Sequence, residues 1–420
     1  MLAPEALSPT ESVRGFSASP VQLLGHRNAV PGLLREINEL VIYEAIRSDG
    51  PISRADLART TGRSKPTVSL AVRSLVDAGL INEVGIQTGR PGRSGVLFSN
   101  RGDGGSAVGV DIGGRFLRAA RCDLDGNVSA RIDWALADDS PLVDQVTDLI
   151  GAVVTKHAAD TGHVTRPDAV AIGSPGVVDP ITGTLSMVGV LHELEGIALG
   201  RVLADRLATL VIVENDVNLA TLGEQANGAA HDVANVAVIS VGTGLGSGLI
   251  LNGELHRGTR GAAGEIELIP LRELDADTGH IDPSTSGLLD HAHRIGRDRS
   301  SVLADMADTR ALFDLAATGD NAARDVIDEV ARWIAYYAAS IVAVVDVSRV
   351  VLAGGIGSHP LLQEPVATHL ASLLPRSPEV LPSELGDSAV LCGALAVGRA
   401  ASVEEIFTLQ RNSREEARAR

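Results

Sequence analysis

Two segments of the same build, VGVDIGGRFLRAARCDLDGNV at residues 108–128 and VAVISVGTGLGSGLILNGEL at 236–255, limit what this chain can fold into. Each reads as an apolar strand, a tight glycine turn and a second apolar strand. A turn without bulky side chains lets the backbone approach a phosphate and point N–H groups at it. One such turn says little. Two, each opening a stretch of strand–helix alternation, predict a duplicated α/β domain whose halves close on a nucleotide or a sugar.

The 420 residues suffice for two or three domains. Hydrophobic residues make up 45% and aromatics only 2%, so Ala, Val, Leu and Gly must carry the core. No apolar run reaches the about 18 residues that suggest a membrane helix, and the polar N-terminus carries no cleavable signal pattern. A cytoplasmic protein without membrane contact is expected. Two cysteines, Cys122 and Cys392, cannot build a disulfide framework, and each reads as a packed small side chain. The net charge of −17 opposes nucleic-acid binding if taken globally, but it is unevenly spread. Up to Asp103 there are 12 Lys/Arg against 10 Asp/Glu; the rest holds 24 against 43. Only the N-terminal part is suited to approach DNA.

Residues 1–29 mix Pro, Ser and Gly without periodicity and read as a mobile tail. From Leu33 the pattern turns helical, with Leu34, Ile37, Val41, Ala45 and Ile46 on one face, ending near Gly50. Ser53 caps a short second helix stopped by Gly62. Ser64 caps a third, with Pro66 in its first turn and an apolar stripe of Val68, Val72, Leu75 and Val76. Two short strands at 80–84 and 95–98, joined by GIQTGRPGRS, complete a winged helix-turn-helix over residues 30–100. The third helix offers Ser64, Lys65, Thr67, Ser69 and Arg73 for phosphates and base edges. Arg90 and Arg93 sit on the wing tip. The bland alternative is a helical protein-interaction module with solvated charges.

Beyond the wing, strands are expected at 107–112, 117–122, 169–172, 210–213, 236–241, 248–251 and 350–352. Helices are expected at 142–159, 199–207, 322–347, 366–374 and 389–401, with a fraying tail RNSREEARAR. Trp333, Tyr336 and Tyr337 lie on the third of these expected helices, 322–347, and read as core or subunit contact.

The stretches VGVDIGG, AIGSPGVVDPITGTL, VENDVNLATLGE, VISVGTGLGSGLILNGELHRGTRGAAGEIE and VVLAGGIG, behind the helix-turn-helix, resemble the ROK family (repressor, open reading frame, kinase) in its order. The resemblance covers nearly everything after residue 30. It implies an α/β body of the two-lobed actin/hexokinase type: residues 105–229 with the C-terminal helix 389–420 as one lobe, and 230–388 as the other. It further implies that Asp111, Gly113 and Gly114 face ATP phosphates and metal in family kinases, and that Gly242, Thr243, Gly244 and Gly246 cradle phosphates. Gly354 and Gly355 approach the adenosine, and Asp216 is the general base for a sugar hydroxyl. Gly176, Asn215, Asp216 and Glu265 match residues that line the sugar site, and carboxylates and amides suit vicinal hydroxyls. Taken alone, Asp216 and Glu265 also fit as helix caps, and Glu224 reads as structural.

This chain departs from the family pattern in two places. Arg115 stands where Thr is usual; it either fills the phosphate site or turns outward. The family's zinc loop follows a ligand His, here Leu268, and the next residues contain no Cys. His280, His291 and His293 remain, and the last two, at i and i+2, should not share a helix face. Neither zinc nor ATP is therefore expected as a cofactor. Asp290 aligns with a sugar-contacting Glu of the lost loop.

These features favour a sugar-responsive regulator, a repressor, that binds an inverted-repeat DNA operator as a dimer or tetramer. Asp216 is then a vestigial base. The competing readings are an active ROK sugar kinase, and a DNA-binding protein whose kinase-like body is only an oligomerisation scaffold.

Overall fold

The computed structural model describes residues 31–86, 95–271, 282–299 and 301–419. The expected tail at 1–29 and the wing-tip residues Arg90 and Arg93 lie outside them. The chain divides into two compact units. One holds the described residues up to Pro175 with Gly183–Glu214 and the chain from Ala394 on; the other holds Gly176–Thr182 and Asn215–Gly393.

In the first unit, helices α1 (Pro31–Asp49), α2 (Arg54–Thr61) and α3 (Lys65–Asp77) precede a hairpin of β2 (Ile81–Ile86) and β3 (Val96–Asn100). The turn chemistry sets these boundaries. The Ser53 hydroxyl accepts the Asp56 N–H at the start of α2, and Gly62, at φ 67°, ends it in the left-handed region where a Cβ would be strained. Ser64 caps α3, with Pro66 in the first turn. A two-residue strand, β1 (Ile52–Ser53), which the sequence pattern did not signal, pairs antiparallel with β3 and makes the order β1-β3-β2. Val68, Ala71, Val72 and Leu75 of α3 are buried, but Val76, expected on the same stripe, is 39% exposed where the last turn rotates it outward.

The winged helix does not close its own core. Leu124, Val403 and Phe407 bury against Ile42, Leu57, Val72 and Phe98 in one cluster. The connecting chain is fastened as well: Arg101 N–H donates to Leu80 O (2.9 Å), and Leu124 N–H donates to Gly102 O (3.0 Å). A Cβ at Gly104 would stand 2.5 Å from Gly79 O, so the linker passes tightly under the turn after α3.

The body of this unit is a five-stranded sheet in the order β10-β7-β4-β5-β6. Its strands are β4 (Ser106–Ile112), β5 (Phe116–Asp123), β6 (Val128–Ala135), β7 (Ala169–Ser174) and β10 (Leu210–Asn215); β8 (Val177–Val178) pairs separately with β9 (Leu185–Ser186). Helices α4 (Leu142–Thr161) and α5 (Leu199–Leu207) accompany it. Strands β4, β5 and β6 run antiparallel in succession, and β7 is parallel to β4. Strand β6 was not expected; its residues from Arg131 on are half-buried or exposed, so no apolar alternation marks them.

The second unit repeats this plan. After α6 (Asp216–Asn227) come β11 (Val236–Val241), β12 (Leu245–Leu251) and β13 (Glu254–Leu255). Helices α7 (Thr285–Arg299), α8 (Ser301–Ala304), α9 (Thr309–Ala317) and α10 (Asn321–Val345) precede β14 (Arg349–Ala353), α11 (Gly354–Gly357), α12 (Pro360–Leu373) and β15 (Glu379–Pro382). The order is β13-β12-β11-β14-β15, with β11–β12 and β12–β13 antiparallel and β11–β14 and β14–β15 parallel. This is the first sheet's plan, strand for strand, and the duplicated α/β reading of the two glycine hairpins holds.

The units part at Glu214/Asn215, not at residues 229/230, because α6 packs on β12: a Cβ at Gly248 would stand 2.0 Å from Thr221 Oγ1. Glu224 of α6 is fully buried and accepts from Ser383 Oγ and from the N–H groups of Ala229 (2.7 Å) and Leu385 (3.1 Å), so it is structural. Cys122 and Cys392 are buried and form no disulfide, while Trp333 and Tyr337 are core residues and Tyr336 packs against that core. No helix among the described residues is long and apolar enough to cross a membrane.

The last helix, α13, runs over Ala389–Ala419 instead of ending near Ala401. Val403 and Phe407 anchor the extra turns, and Gln410 Nε2 donates to Asp77 O at the end of α3 (3.1 Å). Truncating the 9%-exposed Phe407 to Ala should cost the winged-helix core about 3 kcal/mol. Amide exchange in α1–α3 should then quicken by about two orders of magnitude, with β11 and β14 unaffected. Unchanged exchange in α1–α3 would contradict a shared core.

Candidate functional site

Of the DNA-reading candidates, Lys65, Ser69 and Arg73 are exposed at i, i+4 and i+8, on the face of α3 opposite its buried stripe. Ser64 and Thr67 are used locally: the Ser64 hydroxyl accepts Thr67 N–H (3.3 Å) and pairs with the Thr67 hydroxyl (2.8 Å). Those two set where the helix begins and so aim its first turn. Leu70, absent from the expected set, is 50% exposed between Ser69 and Arg73.

The candidate sugar residues Gly176, Asn215, Asp216, Glu265 and Asp290 all fall in the second unit. Asn215 caps α6, its Oδ1 accepting Asn218 N–H (2.9 Å), while its Nδ2 donates to Gly176 O (3.0 Å). Gly176 itself sits at φ 93°. Asp216 is the first residue of α6 and its Oδ1 accepts Val217 N–H (2.9 Å), a place where the helix end favours an anion. Gly264, at φ 95°, lies so close to β12 that a Cβ would stand 1.9 Å from Ser247 O. The Ser247 N–H and hydroxyl both donate to Gly264 O (2.8 and 3.0 Å). This pins the chain just before Glu265, whose carboxyl is pushed above its ordinary range by burial and then by Glu267. Asp290 lies exposed in the second turn of α7, with no hydrogen bond that ties it to the other four.

The second glycine turn comes together with its expected partners. Gly242 N–H donates to Gly244 O (3.0 Å), and Thr285, at the start of α7, donates its N–H and hydroxyl to Gly242 O (2.7 and 2.9 Å). Gly354, at φ 81°, has Val241 O 2.4 Å from where a Cβ would be, and Gly355 N lies 3.8 Å from the corresponding point on Gly242. Thr243 is exposed at the tip, and Gly246 packs toward Val217.

The first glycine turn, in the first unit, differs. Arg115 is exposed and turns outward. The Asp111 side chain meets Arg118. The hairpin register places it directly across from Asp111, and Arg118 Nη1 donates to Asp111 Oδ2 (3.2 Å). Arg118 also stacks on the Phe116 ring at 3.7 Å, and a Cβ at Gly113 would press on that same ring. The pair is nearly out of solvent, so the Asp111 carboxylate is already engaged. The signal was countable: a hairpin pairing Ile112 with Leu117 must pair Asp111 with Arg118.

Among the described residues, no group of His, Cys, Asp and Glu side chains is placed to hold a metal ion. Leu268 offers no ligand atom and is 64% exposed. His280 lies outside the described residues. His293 Nε2 bonds Met306 O (2.7 Å), while His291 is buried with Arg294 at 2.5 Å from its Nδ1, so the two histidines serve different neighbours.

With the two glycine turns and the α6 cap placed, likeness to known proteins can be weighed. Residues 107–401 match the ROK family, and residues 35–82 match a winged helix-turn-helix DNA-binding family. The chain belongs to the ROK family. It is 25% identical to the xylose repressor of Bacillus subtilis (strain 168) over 378 residues, 87% of this chain and 95% of that one. The structure of a ROK family transcriptional regulator described as a homologue of the Escherichia coli MLC protein shares the fold, with a TM-score of 0.76. It is 23% identical, covering 90% of this chain and 98% of that one. A ROK glucokinase from Streptomyces griseus, solved with glucose and AMPPNP, is 27% identical with a TM-score of 0.59; it covers 70% of this chain and 100% of its own.

His291 gives a pH test of this region. Burial, helped by Arg294, lowers its pKa from 6.5 to about 4, with Glu329 opposing and Arg332 adding to the effect. The folded state therefore binds fewer protons than the unfolded state between those values, and stability falls as the pH drops. From pH 7 to pH 5 the loss should reach about 2 kcal/mol in unfolding free energy, and His291→Phe should flatten that slope. An unchanged slope in the variant would show that His291 is not the titrating group.

Proposed function

We propose that the protein is a sugar-responsive transcriptional repressor whose kinase-like body binds an effector and does not phosphorylate it. The observation that carries this reading is the core shared by the winged helix, Leu124 and the C-terminal helix. A DNA-binding module packed this way takes its position from the ROK body. Helix α13 is continuous: its first turn belongs to the second unit, where Gly393 lies against Leu219 O, and its later turns enter the winged-helix core. A ligand held at Asn215, Asp216 and Glu265 acts on the unit that holds the start of that helix. It shifts operator occupancy only by its differential affinity for the two states.

The name of the Bacillus subtilis relative supports a sugar or sugar derivative as effector, and the exposed Lys65, Ser69 and Arg73 support a DNA operator. One winged helix covers a half-site, so an inverted repeat bound by a homodimer or larger oligomer fits the geometry of such modules. The kinase reading is favoured by Asp216 at its helix end and by the second glycine turn. Two features oppose it. ATP with magnesium would have to displace Arg118 from Asp111, and Leu268 removes the zinc ligand that would order the neighbouring loop.

Asp216→Ala should abolish the effector response and leave operator affinity within about twofold. Arg73→Ala should weaken operator binding by about tenfold or more and leave effector binding intact. Fluorescence anisotropy on an operator found by selection, with thermal shift against monosaccharides and their phosphates, reads both. Turnover of ATP with any sugar in that panel, lost in Asp216→Ala, would replace the repressor reading with the kinase.

A further inference from the structure

We infer that Leu70 is a base-reading residue that packs on the C5-methyl group of a thymine in each operator half-site. The inference rests on the DNA-binding reading of α3 and narrows what that helix recognises. The face that α3 turns away from its core is otherwise built for a polyanion: Lys65, Ser69 and Arg73 are exposed on it, and Arg63 stands exposed just before the helix. Leu70 sits in the middle of this face, half exposed, while the buried stripe of Val68, Ala71, Val72 and Leu75 points the other way. It therefore contributes nothing to the winged-helix core. Its cost in water is recovered only when something apolar covers it.

The major groove presents one apolar group, the thymine methyl, which distinguishes a T·A pair from every other arrangement. The helix N-terminal half is the part that meets base edges in this class of module, and Leu70 lies in that half. Ser64 and Thr67, two of the other candidates there, are occupied with each other and with the helix cap. Leu70 and Arg73 are three residues apart, about 4.5 Å along the helix axis. Base pairs stack every 3.4 Å or so along a strand. The thymine read by Leu70 thus lies within about two base pairs of the base contacted by Arg73.

The test starts with selection of the preferred operator from random duplex DNA by the full-length protein. Each thymine of the selected site is then replaced by deoxyuridine, which removes only the methyl group. For the wild type, one thymine per half-site should matter, with affinity falling about fivefold. Leu70→Ala should bind the original operator about fivefold more weakly and be indifferent to deoxyuridine at that position. Its melting temperature should stay close to the wild type, since Leu70 lies outside the buried core of the winged helix. Losses that simply add for every thymine would overturn the role of Leu70 and leave DNA binding standing. Failure of the wild type to enrich any sequence would overturn the DNA-binding reading itself.

Discussion

Phe407 and Val403 stand near the end of the chain and Leu57 and Val72 near its start, yet they bury one another. A winged helix of this size encloses little apolar surface by itself. Here one side of it is closed by a helix that belongs to the ROK body and by Leu124 at the turn after β5. The linker is correspondingly short of freedom, held by Leu80 O, Gly102 O and the close pass at Gly104. This packing makes the orientation of α3 a property of the whole first unit. Any change in where α13 lies is then felt at the DNA-reading face as a shift of packed atoms, since dense interiors transmit displacement.

Small residues make that arrangement possible. A Cβ at Gly109 would stand 2.9 Å from Leu395 N, and one at Gly398 would lie 3.1 Å from the Ala107 side chain, so α13 rides directly on β4. In the second unit Gly223 and Gly393 do the same, with Ala389 O and Leu219 O where a Cβ would be. The poverty in aromatics follows from the same design. Close helix–strand and helix–helix approach needs Ala and Gly at the contacts, and bulky side chains would hold the layers apart.

Much of this was legible beforehand. The two glycine hairpins and the capped helices of the winged helix come from local chemistry: turn residues, caps and strand patterns that a few neighbouring positions define. What escaped reading depends on partners distant in sequence. Strand β1 exists because β3 passes beside it, and the last turns of α13 persist because the winged helix covers them. Helix α6 was hidden because its sequence, DVNLATLGEQAN, is buried on nearly every side from Asn218 on and so shows no amphipathic stripe. Arg118 and Leu70 were passed over for a different reason: one needed the hairpin register, the other a helical face, before its side chain had a meaning.

The Arg118–Asp111 pair engages a carboxylate that the family resemblance places toward ATP phosphates and metal. Asp111 lies on β4, one residue before the strand ends. Here a guanidinium stacked on Phe116 stands across the hairpin from it, itself within 3.8 Å of Asp133. Pulling Arg118 away would strand a buried carboxylate, a change that typically costs about 3–5 kcal/mol in stability. A nucleotide would have to offset that before contributing any affinity of its own. The same pair braces the hairpin without any ligand.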